Sequence, residues 1–86
     1  MRTIPTKRFI QQLDDLLHGN KKYGPKVIKA MKLVEFDLKH PSLRLHKLSG
    51  IEEVYSVSVD MKIRILIAID NNHIRLLEIG THDEVY

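Results

Sequence analysis

Val54-Tyr55-Ser56-Val57-Ser58-Val59-Asp60-Met61-Lys62-Ile63-Arg64-Ile65-Leu66-Ile67-Ala68-Ile69 is the stretch on which the fold turns. Two runs rich in β-branched residues flank a short polar break, the pattern of a strand hairpin. A turn through Asp60-Met61-Lys62 sets Val59 opposite Ile63, Val57 opposite Ile65 and Tyr55 opposite Ile67. All three pairs then share one face, which helices must cover. Ser56, Ser58, Arg64 and Leu66 fall on the other face. Arg64 stands out within an isoleucine-rich strand. A guanidinium there needs a carboxylate or a ligand, because an unpaired buried charge is costly. Glu78, on the next strand, is the candidate carboxylate.

Downstream, Asp70-Asn71-Asn72 supplies a turn and Ile74–Ile79 a third strand. With Leu77 and Ile79 turned to the core, Gly80 and His82 continue on the face of Arg64. Ile74 and Leu76 prefer the opposite phase, which a bulge would reconcile. The segment closes as Gly80-Thr81-His82-Asp83-Glu84-Val85-Tyr86.

Upstream, Phe9, Ile10, Leu13, Leu16 and Leu17 recur at the spacing of one helical face. Thr3 or Thr6 can cap this helix, and Gly19 is placed for a C-cap of positive φ. Val27, Ile28, Met31, Val34 and Leu38 form the stripe of a second helix, begun by Pro25 and stopped by His40-Pro41. Arg2-Thr3-Ile4 can open the sheet. Leu43 and Leu45 alternate with Arg44 and His46, as in a short extended segment. The order predicts one α+β domain over residues 1–86. In it, two N-terminal antiparallel helices pack on a mainly antiparallel sheet of three to four strands.

The chain has 86 residues, 43% apolar, enough for one small core. Absence of cysteine rules out disulfides and thiolate metal sites. No apolar h-region and no membrane-length run occur, which fits a cytoplasmic protein without membrane contact. The net charge of +3 is unevenly spread: residues 21–47 hold eight Lys/Arg against two acids. Such a basic block suits a polyanion or an acidic partner, although a solvated helix face reads the same way.

No HExxH, glycine-rich phosphate loop or G-x-S-x-G elbow is present, and the histidines at 18, 40, 46, 73 and 82 are scattered. What remains is a composite of His46, Arg64, His82 and Tyr86, with Lys47 and Lys62 nearby. Two imidazoles, a guanidinium and a phenol suit metal-free RNA cleavage. One group takes the 2′-OH proton, another protonates the leaving 5′-oxygen, and cations hold the phosphate. Read singly, each has a plainer role: His46 and His82 as surface histidines, and Tyr86 as a packed ring. Lys26, Lys29 and Lys32 read as solvated side chains, with RNA contact as the functional alternative.

These same residues resemble the RelE/ParE toxin superfamily, in its RelE-, HigB-, YoeB- and YafQ-like branch of mRNA interferases. The likeness runs through Thr6-Lys7-Arg8-Phe9, Leu45-His46-Lys47-Leu48-Ser49-Gly50, Tyr55–Val59, Lys62-Ile63-Arg64-Ile65 and the closing Ile79–Tyr86. It implies a toxin of a type II toxin–antitoxin pair that cleaves mRNA at the ribosome without cofactor or metal. It also implies a cognate antitoxin, and either a toxin monomer or a hetero-oligomer with that antitoxin. The resemblance makes His46 the base and Arg64 the contact to the scissile phosphate. His82 becomes the acid and Tyr86 the closing aromatic. Lys62 falls where some relatives carry a further catalytic residue, and Lys26, Lys29, Lys47 and Lys62 are the expected RNA contacts. The chain departs from the pattern at Ser58, where many relatives have a basic residue, so one phosphate contact is either missing or supplied by Lys47 or Lys62. A ParE-like gyrase inhibitor and a degenerate, antitoxin-binding toxin are the competing readings.

Overall fold

The computed structural model describes residues 1–50 and 53–85, the side chain of residue 84 excepted. The element order is β1 (Arg2–Pro5), α1 (Lys7–Gly19), α2 (Tyr23–Phe36), a 3-10 turn (Pro41–Leu43), β2 (His46–Lys47), β3 (Val54–Ser58), β4 (Ile63–Ile69), β5 (His73–Thr81) and α3 (His82–Val85). The sheet has five strands, ordered β1-β5-β4-β3-β2. Only β1 on β5 is parallel; the other pairs are antiparallel. The α+β architecture is as expected, with five strands in place of three or four. The added edge strand β2 is two exposed residues, too short to leave a periodic signal.

The hairpin has the expected register. Tyr55 lies opposite Ile67, Val57 opposite Ile65 and Ser58 opposite Arg64, and the Val59 N–H donates to the Ile63 carbonyl at 2.9 Å. Asp60 makes the turn: its Oδ1 accepts from the N–H groups of Lys62 and Ile63, both at 2.8 Å. Asp70 repeats the device for the next turn, accepting from Asn72 and His73.

The phase conflict in β5 is resolved by a bulge. Leu66 pairs with Glu78 and Ile67 with Leu76, so Leu77 has no opposite number. A strict alternation cannot bury Ile74, Leu76 and Ile79 together, yet all three are buried. The expectation that Leu77 faces the core is therefore corrected: Leu77 is the inserted residue and Leu76 takes the core position. Beyond the bulge, Gly80 stands opposite Arg64, as the alternation required.

The core joins Phe9 of α1, Val27, Ala30 and Val34 of α2, Leu43, and the inner residues of β3, β4 and β5. Thr6 caps α1, its hydroxyl accepting from the Phe9 N–H at 3.1 Å. Two sequence expectations fail here. Ile10 and Ile28, placed on the buried stripes, are 53% and 57% exposed, while Phe9, Val27 and Val34 of the same stripes are buried as expected and Ala30 is buried beside them. Gly19 takes no positive φ; α1 ends at Asn20 in extended backbone. Leu66 and Val85 are buried apart from the main cluster. Leu66 has the parity of Arg64, on the face away from the helices, while α3 turns back against β4 and β5.

Candidate active site

The outer face of the sheet collects the expected residues by register. Ser58, Arg64 and Gly80 form one cross-strand row; His46, Ser56, Leu66 and Glu78 form the next. His46 is thus two strands from Arg64, roughly 10 Å, and two residues along, about 7 Å. His82 follows Thr81, which pairs with Ile63, so it emerges beside the strand that carries Arg64. It is exposed, and its Nδ1 lies 3.7 Å from Asp83 Oδ1. His46 is exposed on β2, with Nδ1 3.4 Å from the Arg44 carbonyl oxygen. Tyr86 lies outside the described residues.

Arg64 is half-buried, and its Nε is fully enclosed without a hydrogen-bond partner among the described residues. The cross-sheet pairing with Glu78 does not form. Glu78 turns instead to α1, with Arg8 Nε at 3.3 Å and Gln12 Nε2 at 3.4 Å. Gln12 Oε1 also accepts from the Ile79 N–H, closing the edge of β5 where β1 has ended. An enclosed guanidinium nitrogen left unsatisfied is costly.

Arg64 opens on a cleft of about 380 Å³ lined by Ser42, Arg44, Ser58, Asp60, Met61 and Arg64 itself. Asp60 is the acid of this cleft, and it is already engaged. Its Oδ1 holds the turn, and its Oδ2 meets Lys26 Nζ at 3.2 Å. Burial pushes the Asp60 carboxyl up, but the N–H groups of Ile63 and Lys62 together with Lys26 outweigh it and hold the pKa below the ordinary 3.8. Asp60 therefore stays ionised and is a poor proton acceptor. Ser58 is buried and donates from Oγ to the Asp60 carbonyl at 3.1 Å.

The expected RNA-binding lysines divide. Lys26 and Lys29 line a neighbouring cavity with Ser58 and Asp60, and Lys26 also sits 5.8 Å from the Tyr23 ring centroid. Lys62 lines the cavity on the other side of Asp60, with Lys26 and Tyr23. Lys47 pairs with Tyr55, which faces the core side, so it points away from His46 and Arg64. Arg44, which the sequence pattern did not single out, lines the same cleft as Arg64. The sequence suggested an extended Leu43–Leu45 segment, but Pro41–Leu43 coil as a 3-10 turn and Arg44 follows in the left-handed region, φ 47°. Among the described residues no three His, Asp or Glu side chains converge as a metal site would need. No helix among them is long and apolar enough to cross a membrane.

A two-helix layer on this bulged, five-stranded sheet is also the fold of solved YafQ and YoeB/ParE toxins, the fold that the sequence resemblance implied. The particular likenesses are these. The structure of the Escherichia coli DinJ–YafQ complex contains a chain matching with a TM-score of 0.84 at 17% identity, over 100% of this chain and 99% of that one. The YoeB/ParE toxin of Agrobacterium tumefaciens matches at 0.81 and 9%, over 95% and 99%. The Staphylococcus aureus YoeB dimer matches at 0.75 and 18%, over 95% and 97%. No family model and no curated protein matches the sequence.

Proposed function

We propose that the protein is the toxin of a toxin–antitoxin pair, an endoribonuclease that cuts mRNA on the ribosome in the cytoplasm. The observation that carries this reading is Arg64. Its Nε is enclosed and has no hydrogen-bond partner among the described residues, on a sheet face that also presents His46 and leads directly into His82. Arg64 binds the scissile phosphate. His46 removes the proton from the 2′-OH, whose oxygen attacks phosphorus. His82 donates a proton to the departing 5′-oxygen, leaving a 2′,3′-cyclic phosphate and a 5′-hydroxyl. Each proton-transfer group is worth about 10²–10⁴ in rate, and the cationic clamp acts on charge that develops in the transition state. Tyr86 serves as the closing aromatic against base or substrate. Lys26, Lys29 and Lys62 line the approach for the RNA backbone. The solved DinJ–YafQ toxin–antitoxin complex supports a protein antitoxin as the partner that neutralises this chain.

The test is induction of wild type, Arg64→Ala and His82→Ala in cells, with mapping of new mRNA 5′ ends. Wild type should arrest growth and generate cuts, and both variants should lose them by at least a hundredfold. Growth arrest without cuts would instead favour inhibition of DNA gyrase by binding, to be read in a supercoiling assay.

A further inference from the structure

We infer that Arg44 is the second phosphate-binding cation of the cleft, acting with Arg64 on the backbone of a single-stranded RNA. The inference rests on reading the cleft as a nucleic-acid site and names a residue that this reading had left unassigned. Four observations converge on it. Arg44 and Arg64 are the two cations that line the cleft of about 380 Å³, and Ser58 lies in the same wall. Neither arginine has a carboxylate partner among the described residues, although an acid lines the cleft. That acid, Asp60, has both oxygens committed elsewhere, to Lys62, Ile63 and Lys26. The two arginines therefore line the cleft without an ion-pair partner among the described residues, and an anion is the complement.

The four expected RNA-binding lysines, Lys26, Lys29, Lys47 and Lys62, are not among the residues that line this cleft. Lys47 faces the opposite side of β2 from His46. Lys62 opens on the neighbouring cavity. Lys26 and Lys29 open on the cavity beside it, Lys26 with its Nζ on Asp60. Arg44 also holds a left-handed backbone, which costs a side-chain-bearing residue and is tolerated best by glycine or asparagine. An arginine kept at such a point is consistent with a demand on its side chain. The turn Pro41–Leu43, anchored by buried Leu43, fixes where that side chain begins.

The test measures binding of a short single-stranded 2′-O-methyl oligoribonucleotide, which cannot be cut because its 2′-oxygen carries no proton. The dissociation constant is followed against salt for wild type, Arg44→Gln, Arg44→Lys, Arg44→Gly and Arg64→Gln. Each phosphate contact contributes about 0.7 to the logarithmic salt slope for single strands. Arg44→Gln and Arg44→Gly should each lower the slope by about 0.7 and weaken binding about fivefold at ~0.1 M salt. Arg44→Lys should keep most of the slope. Arg44→Gly suits the left-handed backbone, so its loss of binding cannot be put down to misfolding. Wild-type slope in Arg44→Gln or Arg44→Gly, with Arg64→Gln reduced, overturns the Arg44 assignment and leaves Arg64 standing. Wild-type slope in all three overturns both. A two-arginine slope in a protein that makes no mRNA cuts upholds the inference and removes the nuclease reading alone.

Discussion

At the scale of single residues, two side chains carry testable energetics. Arg44 holds φ 47° where glycine would rest without strain. Arg44→Gly should raise stability by about 1 kcal/mol, seen as a rise of roughly 4–8 °C in Tm for a domain of this size. The gain in stability with loss of binding is the signature of a residue retained for its side chain. Asp60 gives a pH dependence. Its folded-state pKa is depressed, so its contribution is complete above the ordinary 3.8 and is lost as pH falls through the lower folded-state value. Between neutral pH and that window, wild type should hold its urea midpoint and then lose it on acidification. Asp60→Asn should start lower and show a shallower acid decline. Arg64 was legible as a charge needing a partner, since it interrupts an isoleucine run. That its Nε would be enclosed, and that Glu78 would turn to Arg8 and Gln12, depended on where α1 crosses β5, which no local pattern encodes.

At the scale of elements, the most informative junction is Thr6. Its hydroxyl accepts from the Phe9 N–H and lies 3.0 and 3.1 Å from the carbonyls of Leu76 and Leu77. It caps α1 and ties the helix to the bulge in β5. Thr6→Ala should cost about 1–2 kcal/mol in urea denaturation, the upper part of the range for a lost cap. The hairpin β3–β4 was fully readable from sequence, because a period of two leaves one register that buries Tyr55, Val57, Ile65 and Ile67 together. Strand β5 was readable only as a conflict of phase. Ile74 and Leu76 demanded one face and Ile79 the other, and the bulge at Leu77 satisfied both. Helix faces were read less well. The rows through Ile10 and Ile28 were as periodic as those chosen, and the choice was made by where the sheet lies. The left-handed Arg44 had no local signal at all, since neither glycine nor asparagine marks it.

At the scale of the whole molecule, apolar side chains remain on the surface: Ile10, Ile28 and Phe36 on the helices and Met61, 91% exposed, at the hairpin tip. A small domain with this much apolar surface gains stability from any partner that covers it. On the reading proposed above, saturating cognate antitoxin at a hundredfold over its Kd should stabilise the chain by about 2.7 kcal/mol, measured as a shift in thermal midpoint with and without partner.

The parallel pairing of β1 with β5 has a consequence in time. Arg2 pairs with His73 and Thr3 with Ile74, so the first strand has no neighbour until the chain has been made through the fifth. Contacts of such long sequence separation form late, because loop closure must precede them. During synthesis the N-terminal strand waits, and the row containing Ser58, Arg64 and Gly80 cannot assemble before β5 arrives. A chain stopped at Asn72 should therefore stay unfolded by circular dichroism and bind no oligonucleotide.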